Sequence, residues 1–145
     1  IRQNASNREK TTNQLRQIDE QWQLAFKVGN LNYAQVIVNK PVSRLLMQLR
    51  ASSNDLLSEI IVMDERGYNL AVAEMTSDYW QGDEDKYLQV YNKEPATIYF
   101  EQIKYDASSR RFQVQVSTQI LDKNQKPLGV VTLGIDVDKA LSLQN

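Results

Sequence analysis

Residues 77–87 of the chain, SDYWQGDEDKY, combine the residue types that most often bind small molecules in proteins. The aromatic faces of Tyr79 and Trp80 and the amide of Gln81 could close over a ligand, with Gly82 adopting backbone conformations that other residues avoid. The alternative is that Trp80 fills the core beneath a sheet while Tyr79 is partly exposed. Both interpretations bury Trp80, and we assign Tyr79, Trp80 and Gln81 to a predicted ligand site.

Carboxylates flank these aromatic residues on both sides. Asp78 is predicted to face the ligand, although an N-cap or an Asx turn would also explain an aspartate there. Asp83, Glu84 and Asp85 come where a helix is expected to begin, so capping of free backbone amides is the favoured role. A divalent cation site or a cationic ligand is the alternative, but consecutive carboxylates on a helix point in different directions. We include Asp78 and Asp83 in the ligand site and predict no metal site.

The composition argues against several kinds of chemistry. The 145 residues include no cysteine and no histidine, which removes thiolate and imidazole metal ligands and the usual pairs of nucleophile and base. A net charge of −1 gives no general basic surface for nucleic acid. An enzyme would need two converging carboxylates of different pKa, and no nucleophile or oxyanion hole is evident. We expect a binding domain without catalytic residues, cofactor or nucleic-acid partner.

A long amphipathic helix is predicted over residues 1–28, which contain no glycine or proline. Leu15, Ile18 and Trp22 recur at helical spacing and belong to its apolar stripe. The first half is almost entirely polar, so the helix is expected to project beyond the domain or to pair with a partner helix. We predict a homodimer through this helix, with Leu15, Ile18 and Trp22 as seam residues.

A second helix is predicted over residues 31–51, after a stop at Gly29. Pro41 interrupts its apolar stripe and either kinks one helix or starts another. Arg44 lies among apolar residues of this stripe and is predicted to reach into the ligand site, where a guanidinium binds a carboxylate through two hydrogen bonds. The alternative is an exposed side chain whose stem lies on apolar surface.

The periodicity then changes to that of an antiparallel sheet, with five strands predicted at 58–64, 70–75, 97–105, 111–121 and 128–137. With the helices they indicate a single α+β domain over residues 1–145, the helices lying on one face of the sheet. The connection 76–96 is expected to cover the other face and to define a pocket beneath it. Tyr99, Gln115 and Ser117 belong to polar rows, which either face solvent or donate hydrogen bonds to a ligand under this cover.

Three stretches of the chain resemble the PDC or Cache sensor domains of bacterial membrane receptors. The hairpin VMDERGYNLA carries the family's D-x-x-G turn, and the closing strand KPLGVVTLGIDVDKAL is similar to the family's G-V-V-G-I-D-V strand. The string TSDYWQGDE is similar to one in the membrane-distal sensor modules of proteobacterial chemoreceptors, histidine kinases and GGDEF-type cyclases. The order and spacing of these pieces agree over roughly residues 15–140.

The resemblance implies a PAS-like PDC fold in the periplasmic part of an inner-membrane receptor, with one transmembrane helix before Ile1 and another after an exit helix that starts at 138–145. It also implies a pocket for a small molecule of unknown identity beside the connection 76–96, and a conformational change that is passed to the membrane. The alternative is a ligand-free module for dimerisation or for binding a protein partner. Asp136 is expected to cap the exit helix, with a ligand role as the alternative.

Overall fold

The computed structural model describes residues 7–38, 40–107 and 110–144. Its helices are α1 (Thr12–Lys27), α2 (Ala34–Ile37), α3 (Lys40–Ala51), α4 (Asp85–Leu88) and α5 (Val137–Ser142), with a 3₁₀ turn at Leu31–Tyr33. Its strands are β1 (Leu57–Asp64), β2 (Asn69–Val72), β3 (Ile98–Phe100), β4 (Lys104–Asp106), β5 (Arg111–Leu121) and β6 (Pro127–Asp136).

The strands form one antiparallel sheet in the order β2-β1-β6-β5-β3, and β4 also pairs with β5. At its centre is the β5–β6 hairpin, in which the alternating residues of β5 favour a strand and the Asp122 carboxylate accepts backbone hydrogen bonds that close the turn. The predicted α+β class with a mainly antiparallel sheet is confirmed. The bounds of β1, β5 and β6 lie within one residue of those predicted.

The strand predicted over residues 97–105 is divided into β3 and β4. Phe100 lies opposite Val116 and Lys104 lies opposite Gln113. The edge therefore advances by four residues from β3 to β4 while β5 advances by three. The extra residue interrupts the ladder as a bulge does. The sheet therefore has six strands in the part of the chain that the structure describes, where five were predicted.

Helix α1 begins at Thr12 rather than near the start of the chain. Its cap is Thr11, whose hydroxyl accepts a hydrogen bond from the Gln14 amide at 3.2 Å while the Gln14 side chain accepts one from the Thr11 amide at 2.8 Å. A turn before this capping box separates α1 from a short helical stretch. The continuous helix predicted over 1–28 is therefore wrong, and residues 1–6 lie outside the described residues.

The helix predicted over residues 31–51 is also divided. The 3₁₀ turn and the single turn of α2 come first, and α3 then begins at Lys40. Pro41 lies in the first turn of α3, where its missing amide hydrogen costs no helical hydrogen bond. Of the two roles considered for Pro41, the structure confirms the start of a new helix; Asn39, which falls in the predicted helix, lies outside the described residues.

Helices cover both faces of the sheet. Ile61 and Met63 of β1 pack in the core that α1 and the connection 76–96 share, whereas Ile60 packs with α3. Because successive residues of a strand point to opposite faces, α1 and α3 lie on opposite sides of the sheet. The prediction that both helices share one face is wrong, and the connection 76–96 lies on the same face as α1.

Trp22 and Leu15 of α1 are fully buried in this shared core. The Trp22 ring lies 5.4 Å from that of Tyr79, and its indole nitrogen donates a hydrogen bond to the Thr76 carbonyl at 2.7 Å. The seam predicted from Leu15, Ile18 and Trp22 is therefore corrected, since Leu15 and Trp22 contact the protein's own core and cannot reach a partner helix. Ile18 is half-buried against the same core.

Trp22→Ala is expected to lower the free energy of unfolding by about 3–5 kcal/mol, because it removes a fully buried ring and its hydrogen bond to Thr76. The matched control is Leu24→Ala on the same helix, whose side chain is 54% exposed and whose loss should cost less than about 0.5 kcal/mol. Urea denaturation followed by circular dichroism measures both changes. Equal destabilisation by the two substitutions would contradict the buried position of Trp22.

Candidate ligand-binding cleft

A polar depression opens on the sheet face that carries α1. Three adjoining cavities of about 360, 520 and 190 Å³ share Asp106 and Gln113 in their lining, and we call their union the sheet cleft. Strands β1, β5 and β6 supply its floor, and residues of α4, β4 and the end of α3 supply its walls. A cleft of this size accommodates a small molecule.

The floor of the sheet cleft is made of polar side chains that pair with one another across strands. The Gln115 amide donates a hydrogen bond to the Glu59 carboxylate, and the Ser58 hydroxyl donates one to the Gln113 side-chain oxygen at 3.2 Å. Gly134 of β6 lies opposite both Glu59 and Gln115, and a Cβ atom there would come within 2.6 Å of the Glu59 Cγ. The absence of a side chain at Gly134 thus leaves space for the Glu59 side chain to extend across β6 to Gln115.

Charges of both signs line one of the cavities. Lys86 of α4 is buried, and its ammonium lies 2.9 Å from the Glu84 carboxylate. The same cavity is lined by Asp106 and by Glu101, whose carboxylate lies 3.5 Å from the Lys104 ammonium. A buried ammonium is stabilised by an anionic neighbour, so Lys86 favours a negative ligand group, whereas Glu101 and Asp106 favour a positive one.

The sheet cleft reaches the start of the exit helix at Asp136. This buried carboxylate accepts a hydrogen bond from the Lys139 amide at 2.9 Å and pairs with the Arg111 guanidinium at 3.0 Å. The Lys139 amide, assisted by Arg111, holds the pKa of Asp136 below its ordinary value although burial opposes this. The cap predicted at Asp136 is confirmed, and the exit helix predicted over 138–145 is α5, with Asn145 outside the described residues.

Of the ligand residues predicted on the strands and on the second helix, Gln115 lines the sheet cleft. Ser117 is buried beyond its end, with its hydroxyl 2.8 Å from that of Thr132. Tyr99 is half-buried against the core. Arg44 is exposed on α3, on the opposite side of the sheet, so the prediction that it reaches into the ligand site is wrong.

Tyr79 and Trp80 have exposures opposite to those predicted. Tyr79 is buried and its hydroxyl donates a hydrogen bond to Asn7 at 3.2 Å, and burial raises the pKa of this phenol. Trp80 is 38% exposed, and its indole nitrogen donates to the Arg66 carbonyl at 2.9 Å while the ring lies against Gly82. Tyr79 is therefore a core residue and Trp80 covers the β1–β2 turn, and neither lines the sheet cleft.

Asp78 and Gln81 hold the connection in a bent path. The Asp78 carbonyl accepts hydrogen bonds from the side chains of Thr76 at 2.7 Å, Asn69 at 3.0 Å and Gln81 at 2.7 Å. Gln81 is buried and Asp83 is exposed. These three predicted ligand residues lie outside the lining of the sheet cleft. Within the described residues, no cluster of three or more potential ligands could hold a metal ion.

A close contact between two glycines fixes this bend. Gly67, in the β1–β2 turn, has a φ of +83°, and a Cβ atom on it would lie 2.5 Å from the Cα of Gly82. The Gln81 amide donates to the Gly67 carbonyl at 2.7 Å, and the Asn69 amide donates to the Tyr79 carbonyl at 3.0 Å. Residues 77–82 therefore form neither a helix nor a regular strand, because their backbone pairs with a turn.

Asp19 of α1 makes a contact that was not predicted from the sequence. One oxygen of its carboxylate accepts hydrogen bonds from the backbone amides of Tyr79 at 2.9 Å and Trp80 at 3.0 Å. Its place one turn before Trp22, on the same side of the helix, is the signal that could have identified it. Asp19 and Trp22 together attach α1 to the start of the connection.

Lys86, Glu101 and Glu59 of the sheet cleft were also missed. Glu59 and Glu101 have no motif around them, and Lys86 follows three carboxylates that favoured helix capping as the role of this stretch. The cleft also unites residues that are far apart in the chain. The polar row that contains Gln113 and Gln115 was the available signal, because such a row on a covered face must find hydrogen-bond partners.

Asp19→Ala is expected to increase the hydrogen-exchange rates of the Tyr79 and Trp80 amides by roughly tenfold or more, because both lose their acceptor. The control is Glu20→Ala, the adjacent exposed carboxylate of α1. Exchange followed by NMR or mass spectrometry gives the rates. Unchanged protection at both amides after Asp19→Ala would contradict the contact.

Asp136→Asn is expected to cost about 1 kcal/mol at pH 7, because the cap is kept while the charge that pairs with Arg111 and the helix amides is lost. A lowered folded-state pKa gives stability above the ordinary carboxyl value of 3.8, and this stability is lost as the pH falls through the folded pKa. The difference should therefore vanish in acid. Thermal unfolding from pH 7 to acid, with exposed Asp138→Asn as control, measures it; a difference that persists in acid would contradict the assignment.

No family model and no curated protein matches the chain. Solved structures do match its fold. The extracellular domain of rpHK1S-Z16, a proposed histidine kinase, has a TM-score of 0.59 and 14% identity over 97% of this chain and 61% of its own. The ligand-binding domain of the Campylobacter jejuni chemoreceptor Tlp3, in complex with L-valine, has 0.53 and 18% over 88% and 53%.

The ligand-binding domain of the Pseudomonas fluorescens chemoreceptor CtaA, in complex with L-serine, has a TM-score of 0.50 and 16% identity over 90% of this chain and 61% of its own. The chain thus spans between a half and two thirds of the length of these three domains. At such identities the likeness concerns the fold. The chain has the fold of PDC/Cache-type extracytoplasmic sensor domains, as its hairpin and closing strand indicated.

Proposed function

We propose that the chain is a periplasmic sensor domain of an inner-membrane signalling receptor and that it binds a small molecule in the sheet cleft. The observation that carries this proposal is the open cleft itself, whose polar lining includes charges of both signs. The fold of chemoreceptor ligand-binding domains supports it. None of the described helices is long and apolar enough to cross a membrane.

The charges of the sheet cleft favour a zwitterionic ligand such as an amino acid. Lys86 offers a buried ammonium to a carboxylate, and Glu101 and Asp106 offer carboxylates to an ammonium. The Gln115 amide lies on the floor between strands and supplies neutral hydrogen-bonding groups. Amino acids bound in Tlp3 and CtaA support the same ligand class. The proposal is of binding without turnover, because the chain has no cysteine or histidine to serve as nucleophile or base.

The proposed conformational change involves the part of the connection that follows Gly82. The part before it is attached to α1 by Asp19 and Trp22 and to the β1–β2 turn by Gly67. Helix α4, which carries Lys86, follows this part in the chain, and it is held at Tyr87, which is buried in the core and donates a hydrogen bond to the Glu65 carbonyl at 2.7 Å. A ligand that draws Lys86 towards the floor would favour a closed state, provided that it binds this state more tightly than the open one.

Calorimetric titration of the chain with amino acids, amines and dicarboxylates tests this function. Lys86→Met, which keeps the length of the side chain and removes its charge, is expected to weaken binding of an amino acid at least about tenfold. The control is Lys93→Met, because Lys93 is exposed and lies outside the sheet cleft. Equal effects of the two substitutions would contradict binding in the cleft.

Absence of binding for all three ligand classes would instead favour the ligand-free structural module. The burial of Tyr79 supports this structural module, because the ring fills the core where the connection crosses the sheet. In that case the cleft would be a solvated surface with internal ion pairs. Thermal unfolding provides an independent check, because a ligand at a hundred times its dissociation constant adds about 2.7 kcal/mol of stability.

A further inference from the structure

The sheet face opposite the cleft is apolar from β6 to the β3–β4 edge, and we call it the apolar face. It consists of alternate side chains of β5 from Phe112 to Ile120, alternate side chains of β6 from Val131 to Ile135, and Ile98, Phe100 and Tyr105 at the edge. The extra residue between β3 and β4 returns the Tyr105 ring to this side, where it lies 5.2 Å from that of Phe112. As an edge residue, Tyr105 also borders the sheet cleft. The face is continuous across these strands.

Polar and apolar residues are distributed between the two faces of the sheet in the reverse of the way expected if the apolar face were exposed to water in a monomer. A sheet with one face in water normally places polar residues on that face. Here Gln115 and Ser117 point to the side of α1 and the cleft, whereas Val116 between them points to the apolar face. Thr118 is the polar residue that β5 places on this face, and its hydroxyl donates a hydrogen bond to the Thr97 carbonyl at 2.9 Å. The β3, β5 and β6 residues of the face carry no charge.

Helix α3 covers the β1–β2 end of this side of the sheet, and the cluster it forms there reaches Val131 and Leu133 of β6. Its Leu46 packs in a cluster with Ile60 and Ala71 of β1 and β2. The aromatic residues at the other end of the sheet are left outside this cluster, and Phe100, Tyr105 and Phe112 are 65%, 56% and 48% exposed.

The exposed aromatic area of the apolar face is comparable with the largest apolar patch of a typical monomer. If each aromatic side chain offers about 200 Å², these three alone expose about 340 Å². Ile98, which is 59% exposed, and the half-buried aliphatic residues of β5 add to this area. The largest apolar patch of a typical monomer is about 300–600 Å², and each partner in a standard interface contributes about 800 Å².

We infer that the apolar face is a homodimer interface in which a second copy of this chain packs sheet against sheet about a two-fold axis. An isologous contact places identical residues near each other around the axis, so like charges there would repel, and an uncharged face avoids this cost. Val131 and Leu133 of β6 pack against the cluster around Leu46, so the uncovered part of the face is β5 with the aromatic β3–β4 edge. A two-fold axis through this part would place the rings of one copy against those of the other, as in aligned sheet packing.

Analytical ultracentrifugation of the chain from about 1 to 500 µM tests the interface. A dimer is expected, and Phe100→Glu or Phe112→Glu should raise its dissociation constant by roughly a hundredfold or more, because a charge would be buried without a partner. The matched control is Leu88→Glu, because Leu88 on α4 is 48% exposed, as Phe112 is, but lies outside the apolar face. Circular dichroism verifies that each variant is folded.

A chain that remains monomeric over the whole concentration range would overturn the inference and leave the face to a different partner, such as an additional segment of a longer receptor. A dimer that both glutamate substitutions leave unchanged would overturn it as well. Neither measurement depends on ligand binding, so the proposed function can fail or succeed independently.

A second measurement does not require a disruptive substitution. The chain has no cysteine, so Ile98→Cys introduces a single thiol on the apolar face and Leu88→Cys introduces one elsewhere. Alkylation of the first thiol by a maleimide should become at least about tenfold slower when the concentration rises above the dimer dissociation constant, because the interface buries it. The second thiol should react at one rate throughout. Equal rates for the first thiol at low and high concentration would refute the interface.

Discussion

Gly67 and Gly82 meet with no space for a side chain between their backbones, and the placement of the neighbouring elements depends on this contact. It joins the β1–β2 turn to the connection that follows β2, so Tyr79 enters the core while Trp80 stays outside. Asp19 then holds the same backbone from α1. On the sheet face that carries α1, one part is therefore filled by the core around Tyr79. The other part stays open as the sheet cleft.

The elements that local periodicity defines could be predicted from the sequence. Strand β5 alternates over eleven residues, and its bounds agree with the prediction; the start of a helix at Pro41 and the cap at Asp136 follow from local backbone chemistry. The points at which the predicted helices are interrupted were harder to predict from the sequence. The capping box at Thr11 was present in the sequence, but the polar residues before it read equally well as an extension of the helix.

The features that could not be predicted from the sequence depend on tertiary contacts. Which face a helix covers depends on packing between distant residues, so the opposite placement of α1 and α3 had no local signal. The exposures of Tyr79 and Trp80 depend on the glycine contact in the same way. Gln115 was identified because a strand period places it in a polar row. Lys86 becomes its neighbour only when the connection folds back over the sheet, and Glu101 only when the edge after β3 pairs with β5.

Strand β5 supplies Gln115 to the floor of the cleft and Val116 to the apolar face, one residue apart. The layer between the two surfaces is therefore a single sheet of backbone. Because the twist belongs to the strands themselves, the two surfaces share it. A change in the twist of β5 or β6 at the cleft would therefore also change the spacing of side chains on the opposite surface.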